Sequence, residues 1–279
     1  MNSKRSELHY YPDGDILIIA DKTIFRVHKN ILKMAAPTLL NHEQQGNELP
    51  FINIPNVSSS VVDIALSMIY PRHFIMPTWM NIDALLFLAS NYSINKIYVA
   101  GVTFLDQNFK KNPMFAFYLA EKYKLSFLFE ETSKLVLDQL PKYKEDSAFQ
   151  KLPLEIQSAL IARHMSYVHS VAELSVNHFL STYRHTCNNP AFHNKELNQE
   201  IESRVSTILD QPNNIKPSKV WSIILSHITV TDGIDCNDYF MREHLAKKFT
   251  AMFGDFKCLD IDKDEENPKC YIYISRNKS

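Results

Sequence analysis

Glycine is scarce in this chain, with 5 residues among 279. Folds whose tight turns or phosphate-binding loops depend on glycine are therefore disfavoured. The nucleotide motifs G-x-x-x-x-G-K-[ST] and G-x-G-x-x-G are absent, and so are the hydrolase motif G-x-S-x-G and the metalloprotease motif H-E-x-x-H. We therefore expect neither catalytic residues nor a bound cofactor.

Cysteine is also infrequent, and its four positions all lie in the last third of the chain without a C-x-x-C pair: Cys187, Cys236, Cys258 and Cys270. This pattern favours reduced thiols over a disulfide framework. The polar N-terminal sequence has no apolar signal core, and no apolar run reaches the ~18 residues that suggest a membrane span. We expect an intracellular protein without a membrane segment, and the sequence does not distinguish nucleus from cytoplasm.

Neither sign of charge dominates, since 30 Lys and Arg face 31 Asp and Glu, for a formal net charge of −1. Such a balance provides no overall attraction to nucleic acid or to an anionic membrane surface. Aromatic residues are frequent between 104 and 129, but no basic stripe accompanies them, so nucleic-acid stacking is not expected. Hydrophobic residues, at 45%, are sufficient for a folded core.

The first hundred residues combine strand and helix patterns. β-Branched runs at 15–20 and 23–27 predict a hairpin, and a third strand is predicted at 51–54. Stripes spaced for a helix follow, the clearest being Val61, Ile64, Ala65, Met68 and Ile69. The sequence therefore predicts an α+β unit with helices at 28–34 and 58–69, then paired helices up to about residue 109.

From Pro113 onward the pattern is almost wholly helical, with prolines at several helix boundaries. We divide the chain into a flexible leader at 1–14, an α+β domain at 15–110, a helical extension at 111–175 and a mostly helical segment at 176–279. A terminal strand is predicted at 270–274.

An ordered set of landmarks runs through the α+β domain: Asp15-Ile16, Phe25, His28-Lys29, Leu32 and Tyr70-Pro71. This set resembles the BTB/POZ family, a class of intracellular protein-interaction modules. The helices after Pro113 are similar to the BACK-like extension that follows such domains in fungal proteins of this type. The resemblance implies a BTB/POZ fold followed by a helical region, acting through protein partners.

The resemblance also suggests interaction residues. In some BTB transcription factors the positions of Asp15 and Lys29 line a charged groove at the dimer centre. The alternative is that Asp15 caps the hairpin and Lys29 is solvated. By the same resemblance, His28 is structural, with a ring nitrogen bonded to backbone. A homo-oligomer is compatible with the family, but the polar leader at 1–14 disfavours a strand-exchanged dimer.

Cullin-binding family members commonly carry a hydrophobic-x-Glu motif before the third strand, and the polar stretch 41–48 has no clean match.

Two sets of residues suggest a metal site, but neither has the full ligand pattern of a known one. His178, His185, Cys187 and His193 could supply zinc ligands, but their spacing is not that of a standard finger. Asp260, Asp262 and Asp264 resemble the start of a calcium loop, yet Glu265 and Tyr271 occupy the positions that need glycine and glutamate.

The sequence therefore favours a non-catalytic adaptor or scaffold that binds one or more proteins. The alternatives are a substrate adaptor of a cullin-type ubiquitin ligase, a homodimerising transcription-linked co-factor and, more remotely, a metal-dependent enzyme that uses the His178–His193 cluster.

Overall fold

The predicted hairpin is the centre of the only four-stranded sheet in the described part of the chain. A computed structural model describes residues 4–70, 75–176, 190–211, 216–225, 257–258 and 270–276. Strands β2 (Ile16–Ala20) and β3 (Thr23–Val27) pair antiparallel. The two-residue loop between them places Asp21 and Lys22 at φ of 41° and 64°, the signs that a type I′ hairpin turn requires.

The third predicted strand is β4 (Phe51–Asn53), which pairs parallel with β2 in the register Leu17 to Phe51. Alternate residues of a strand point to the same side, and on one side of these strands the side chains are buried. They form the start of the core, with Ile16, Ile18, Ala20, Phe25, Val27 and Ile52.

Part of the leader predicted at 1–14 forms a strand, where the sequence predicted a flexible segment. Strand β1 (Lys4–Tyr10) pairs parallel with β3, so that the sheet order is β1-β3-β2-β4. The two buried residues of β1 are polar, Ser6 and His9, and they lie three positions apart. A strand of this kind lacks the alternating apolar pattern by which strands are recognised in a sequence.

Helices cover this sheet in the predicted order. They are α1 (Lys29–Ala35), α2 (Ser59–Ile69), α3 (Ile82–Asn91) and α4 (Asn95–Asn108), with a 3₁₀ helix at Pro37–His42. Helix α2 buries Val61, Ala65 and Met68 of the predicted stripe. Helices α3 and α4 approach closely at Gly101, where an added Cβ would lie 2.8 Å from Leu86 Cδ2.

The chain divides into two units, Met1–Phe109 and Lys110–Ser279. A 3₁₀ helix, Phe109–Lys111, spans this division. The second unit has the following helices in its described residues: α5 (Pro113–Lys122), α6 (Ser126–Asp138), α7 (Leu140–Tyr143), α8 (Ser147–Gln150), α9 (Leu154–Val176), α10 (Pro190–Asp210) and α11 (Pro217–Leu225). The predicted fold class, an α+β unit followed by a predominantly helical region, is therefore confirmed.

Two short strands, β5 (Lys257–Cys258) and β6 (Cys270–Tyr271), pair antiparallel in the second unit, so the strand predicted at 270–274 is shorter than expected. The further division of the second unit at 175 and 176 remains a prediction. Within the described ranges, no helix has both the length and the apolar character needed to cross a membrane.

Candidate functional site

Asp15 and Lys29, the predicted interaction residues, are neighbours, but their side chains bind different groups. The backbone N–H of Lys29 donates to Asp15 Oδ1 at 2.6 Å. The carboxylate thus satisfies one of the free amides of the first turn of α1, instead of capping the hairpin. The ammonium of Lys29 lies 2.7 Å from Glu43 Oε2. Asp15 therefore organises the backbone, while Lys29 and Glu43 form a partly exposed ion pair at the surface.

Glu43 belongs to the polar stretch 41–48, which has no clean match to the motif of cullin-binding family members. The start of this stretch is held in place, because Gln44 and Phe51 exchange backbone hydrogen bonds of 2.8 and 2.9 Å. Next to it, the ring of His42 packs edge-on against Tyr92 at a centroid distance of 5.4 Å. The start of the stretch, residues 42–44, is therefore held in place by contacts with Phe51 and Tyr92.

A surface pocket of about 500 Å³ lies at this position, and we call it the polar pocket. It is lined by Asn41, His42, Glu43, Gln44, Asn53, Pro55 and Tyr92. Burial raises the pKa of the Tyr92 hydroxyl above its ordinary value, which is already well above neutral pH, so the group is a hydrogen-bond donor here. Amide, imidazole and carboxylate groups around one concavity can bind a polar side chain of a partner protein through several hydrogen bonds.

His28 lies beside this surface and is held by side chains, not by the backbone acceptor that the resemblance implied. Its Nδ1 is 3.1 Å from the Tyr70 hydroxyl, and its Nε2 is 3.3 Å from Asp13 Oδ2. The backbone N–H of His28 donates to the same hydroxyl at 2.9 Å. In this set Nε2–H donates to the Asp13 carboxylate, and the Tyr70 hydroxyl bonds Nδ1 while it also accepts the backbone N–H. The hydrogen bond with His28 lowers the pKa of Asp13.

Tyr70, His28 and Asp13 form a hydrogen-bonded chain like those of catalytic relays, but the pKa of Tyr70 argues against that role. Burial raises the pKa of Tyr70 to about 12. An activated nucleophile or base needs a pKa moved toward the working pH, so Tyr70 is shifted in the wrong direction. The ring of Tyr11 stacks on Tyr70 at 4.9 Å. The cluster therefore joins the start of α1 to the end of α2.

The same cluster extends into β1 through the buried His9, which the sequence did not single out. Its Nε2 lies 2.9 Å from Ser67 Oγ and 3.1 Å from the carbonyl oxygen of Asp63, while Nδ1 lies 3.1 Å from the Tyr11 hydroxyl. Ser6 Oγ donates to Asp63 Oδ1 at 2.8 Å. These bonds satisfy the polar residues that β1 turns toward α2, and they explain why a polar strand is stable here.

Three of the four zinc candidates, His178, His185 and Cys187, lie outside the residues that the structure describes. Asp260, Asp262 and Asp264 of the calcium interpretation lie outside them as well. The backbone of His193 is in α10, but its side chain is not described. Among the residues whose side chains are described, no group of three His, Cys, Asp or Glu could hold a metal ion. The zinc site stays a prediction.

The match to a known protein family covers nearly the whole first unit. The family model described as BTB/POZ domain matches residues 10–109. This range begins at the last residue of β1 and ends one residue after α4. No curated protein matches the chain.

Proposed function

Because residues 10–109 form a BTB/POZ domain, a protein–protein interaction module, we propose that the chain is a non-catalytic adaptor or scaffold. The observation that carries the proposal is the family match over one structural unit, with a second unit following it. An adaptor needs separate surfaces for separate partners, and two units can supply them.

The surface that we propose for the first partner is the polar pocket together with the ion pair of Lys29 and Glu43. Concave polar groups give a partner side chain a defined orientation. Exposed charges at its rim improve selectivity and association rate more than affinity. Asp15 supports this surface indirectly, because it fixes the backbone of Lys29.

Large apolar side chains of the first unit are also exposed. Met34 on α1 is 88% exposed and Met80, just before α3, is 99% exposed. Methionine side chains adapt to differently shaped partners. We propose that they add contact area, either with a different protein or with a second copy of the chain.

Affinity purification with mass spectrometry tests the proposal when a pocket variant is used beside the natural sequence. Asn53 is an exposed lining residue, so Asn53→Arg would fill the polar pocket without removing a described side-chain hydrogen bond. Gln107→Arg places the same side chain at an exposed position of α4 and serves as the control. We expect a set of proteins retained by the natural chain and by Gln107→Arg but lost with Asn53→Arg.

The same purification separates the more specific interpretations. A cullin among the pocket-dependent proteins would support the ubiquitin-ligase adaptor. A dimer in light scattering at tens of micromolar protein, together with transcription factors among the retained proteins, would support the homodimerising co-factor. If Asn53→Arg retains everything that the natural chain retains and the chain is monomeric, the proposed interaction surface is wrong.

A further inference from the structure

The segment Cys270–Arg276 of the second unit begins with β6, which pairs with β5 and packs against α11 and α6, and its later residues bond to α5 and α6. The side chain of Ile272 is only 1% exposed. Ile274 and Arg276 are partly buried, whereas Ser275 is exposed. The segment thus packs on the helical unit through a buried aliphatic residue, Ile272, and a partly buried cation, Arg276.

A hydroxyl of α6 accepts a hydrogen bond from the backbone of this segment. Ile274 N–H donates to Ser133 Oγ at 3.2 Å, while the hydroxyl itself lies 2.7 Å from the Glu130 carbonyl oxygen, to which it donates, and 3.3 Å from the Ile274 carbonyl oxygen. Ser133 is completely buried. This contact is with the backbone of the segment and does not depend on the side chain at that position.

Arg276 supplies the charged anchor. Its guanidinium donates to the Glu121 carboxylate and, at 2.9 Å, to the Glu121 carbonyl oxygen. It also lies over the ring of Phe129, with 5.1 Å between Cζ and the ring centroid. Charge-assisted and cation–π contacts favour arginine over lysine at such a position.

The charged groups of the helices keep partners when the segment is removed. Lys124 Nζ is 2.7 Å from Glu121 Oε1, and the ammonium of Lys134, which is 3% exposed, pairs with Glu131. Lys134 also lies 5.6 Å from the ring centroid of Tyr273. Since no buried charge is left alone, release of the segment avoids the large penalty for an unpaired buried ion.

We propose that Glu121, Phe129, Ser133 and Lys134 form a peptide-binding groove, which the segment 270–276 occupies in the free chain. The partner is a protein with an extended segment that carries an aliphatic residue four positions before an arginine, and it binds by displacing 270–276. Hydrogen bonds to the peptide backbone together with pockets for particular side chains are an established way of recognising a peptide segment. The groove lies in the second unit, so this inference does not depend on the surface proposed for the BTB/POZ domain.

A fluorescent peptide of residues 268–279 is the probe, measured by anisotropy with the full chain. In the Arg276→Ala chain, the internal segment loses its charged anchor and competes less well. We expect that chain to bind the peptide about tenfold more tightly than the natural chain does, since a hydrogen bond to a charged group corresponds to roughly that factor. The same peptide with alanine in place of arginine should bind about tenfold more weakly.

Two further variants in the Arg276→Ala background identify the groove. Glu121→Gln should weaken peptide binding, whereas Glu155→Gln, at an exposed position of α9, should leave it unchanged. Circular dichroism checks that each chain is folded, and Arg276→Lys replaces Arg276→Ala if the latter unfolds. Asn53→Arg should not affect the peptide, which separates this test from that of the BTB/POZ surface.

Absence of saturable binding to a folded Arg276→Ala chain would show that 270–276 is a permanent part of the helical unit and would overturn the proposal. Binding that is insensitive to Glu121→Gln would overturn the assignment of the groove. A stable dimer of the Arg276→Ala chain that dissociates when the peptide is added would mean that the occupant is a second copy, and the proposal of a separate partner would be wrong.

Discussion

The carboxylate of Asp15 and the backbone amide of Lys29 are joined by a hydrogen bond of 2.6 Å across the turn from the hairpin to α1. Helix α1 has no acidic residue in its own first turn, and its preceding residue, His28, makes no side-chain cap. Asp15 therefore stabilises the helix from a distant position in the sequence, and the ammonium of Lys29 is left to pair with Glu43.

Asp15→Ala should lower the free energy of unfolding by about 0.5–2 kcal/mol, because it removes the acceptor for an amide of the first helical turn. Lys29→Ala is the matched control and should cost less than about 1 kcal/mol, because it removes a partly exposed ion pair and leaves the backbone bond. Urea unfolding followed by circular dichroism measures both. Equal losses would contradict the assigned role of Asp15.

Tyr70→Phe should cost about 1–3 kcal/mol, because the backbone N–H of His28 would lose its hydrogen-bond acceptor. Tyr10→Phe is the control in the same unit, since the contact of Arg5 is with the face of the Tyr10 ring, which phenylalanine keeps. Thermal unfolding of the two variants gives the comparison. A loss with Tyr10→Phe as large as with Tyr70→Phe would show that the hydroxyl of Tyr70 has no special role.

Tyr70 should also contribute to alkaline unfolding. Its pKa is raised to about 12 in the folded chain, while an unfolded tyrosine titrates near about 10. The unfolded chain therefore releases this proton first, and stability is lost as the pH rises from about 10 toward 12. We expect Tyr70→Phe to lose less stability than the natural chain across this interval, measured by urea unfolding at successive pH values. Parallel curves would exclude the effect.

His164 in α9 should make the second unit sensitive to mild acid. Burial, with a smaller contribution from the charge of Lys144, lowers the pKa of its imidazole, and its Nε2 is buried without a hydrogen-bond partner in the described residues. The unfolded chain then binds the proton more readily. Stability is thus present above the unfolded pKa of about 6.5 and is lost as the pH falls through the folded value, by at most about 1.4 kcal/mol per pH unit.

His164→Gln should flatten this acid limb, because glutamine does not titrate. The control is His169→Gln on the same helix, where the histidine is exposed and lies 3.1 Å from Glu173 Oε1. Melting temperatures measured from neutral pH into mild acid should fall less for His164→Gln than for the natural chain. If His169→Gln gives the larger change, the acid sensitivity has another origin.

Gly101→Ala should destabilise the first unit by about 1–3 kcal/mol, although alanine is the better helix former. The new methyl group would lie 2.8 Å from Leu86 Cδ2 and 3.2 Å from Ile82 Cδ1, and α3 would have to move or repack. Gln107→Ala, at an exposed position of α4, should change stability by less than about 0.5 kcal/mol. A stabilising Gly101→Ala would mean that the leucine moves aside without strain.

The interior of the α+β unit could be predicted from the sequence where the signal is local. The hairpin needed only two β-branched runs and a short turn, and α2 needed only the stripe from Val61 to Ile69. Strand β1 could not be predicted, because its inward residues, Ser6 and His9, become favourable only when Asp63 and Ser67 are beside them. A sequence pattern carries no record of partners more than fifty positions away.

The candidate site was predicted less completely than the fold. The resemblance paired Asp15 with Lys29 as interaction residues and gave His28 a structural role, and the backbone of Lys29 does lie against the Asp15 carboxylate. It did not identify Glu43 as the partner of Lys29, because a glutamate in a polar loop is usually solvated. The polar pocket was also missed, since a concave surface depends on how α3 and β4 are placed, and neither element indicates it alone.

What the sequence determined by itself is the class of this protein: an N-terminal interaction domain recognisable from ordered landmarks, followed by helices defined by their apolar spacing. What only the tertiary structure decided is which polar groups meet. Ser133 and Ile274 are separated by 141 positions, yet the hydroxyl of the serine accepts a hydrogen bond from the backbone N–H of the isoleucine. Apolar periodicity is local and survives in a linear sequence, whereas each such hydrogen bond depends on a precise approach that only the folded chain provides.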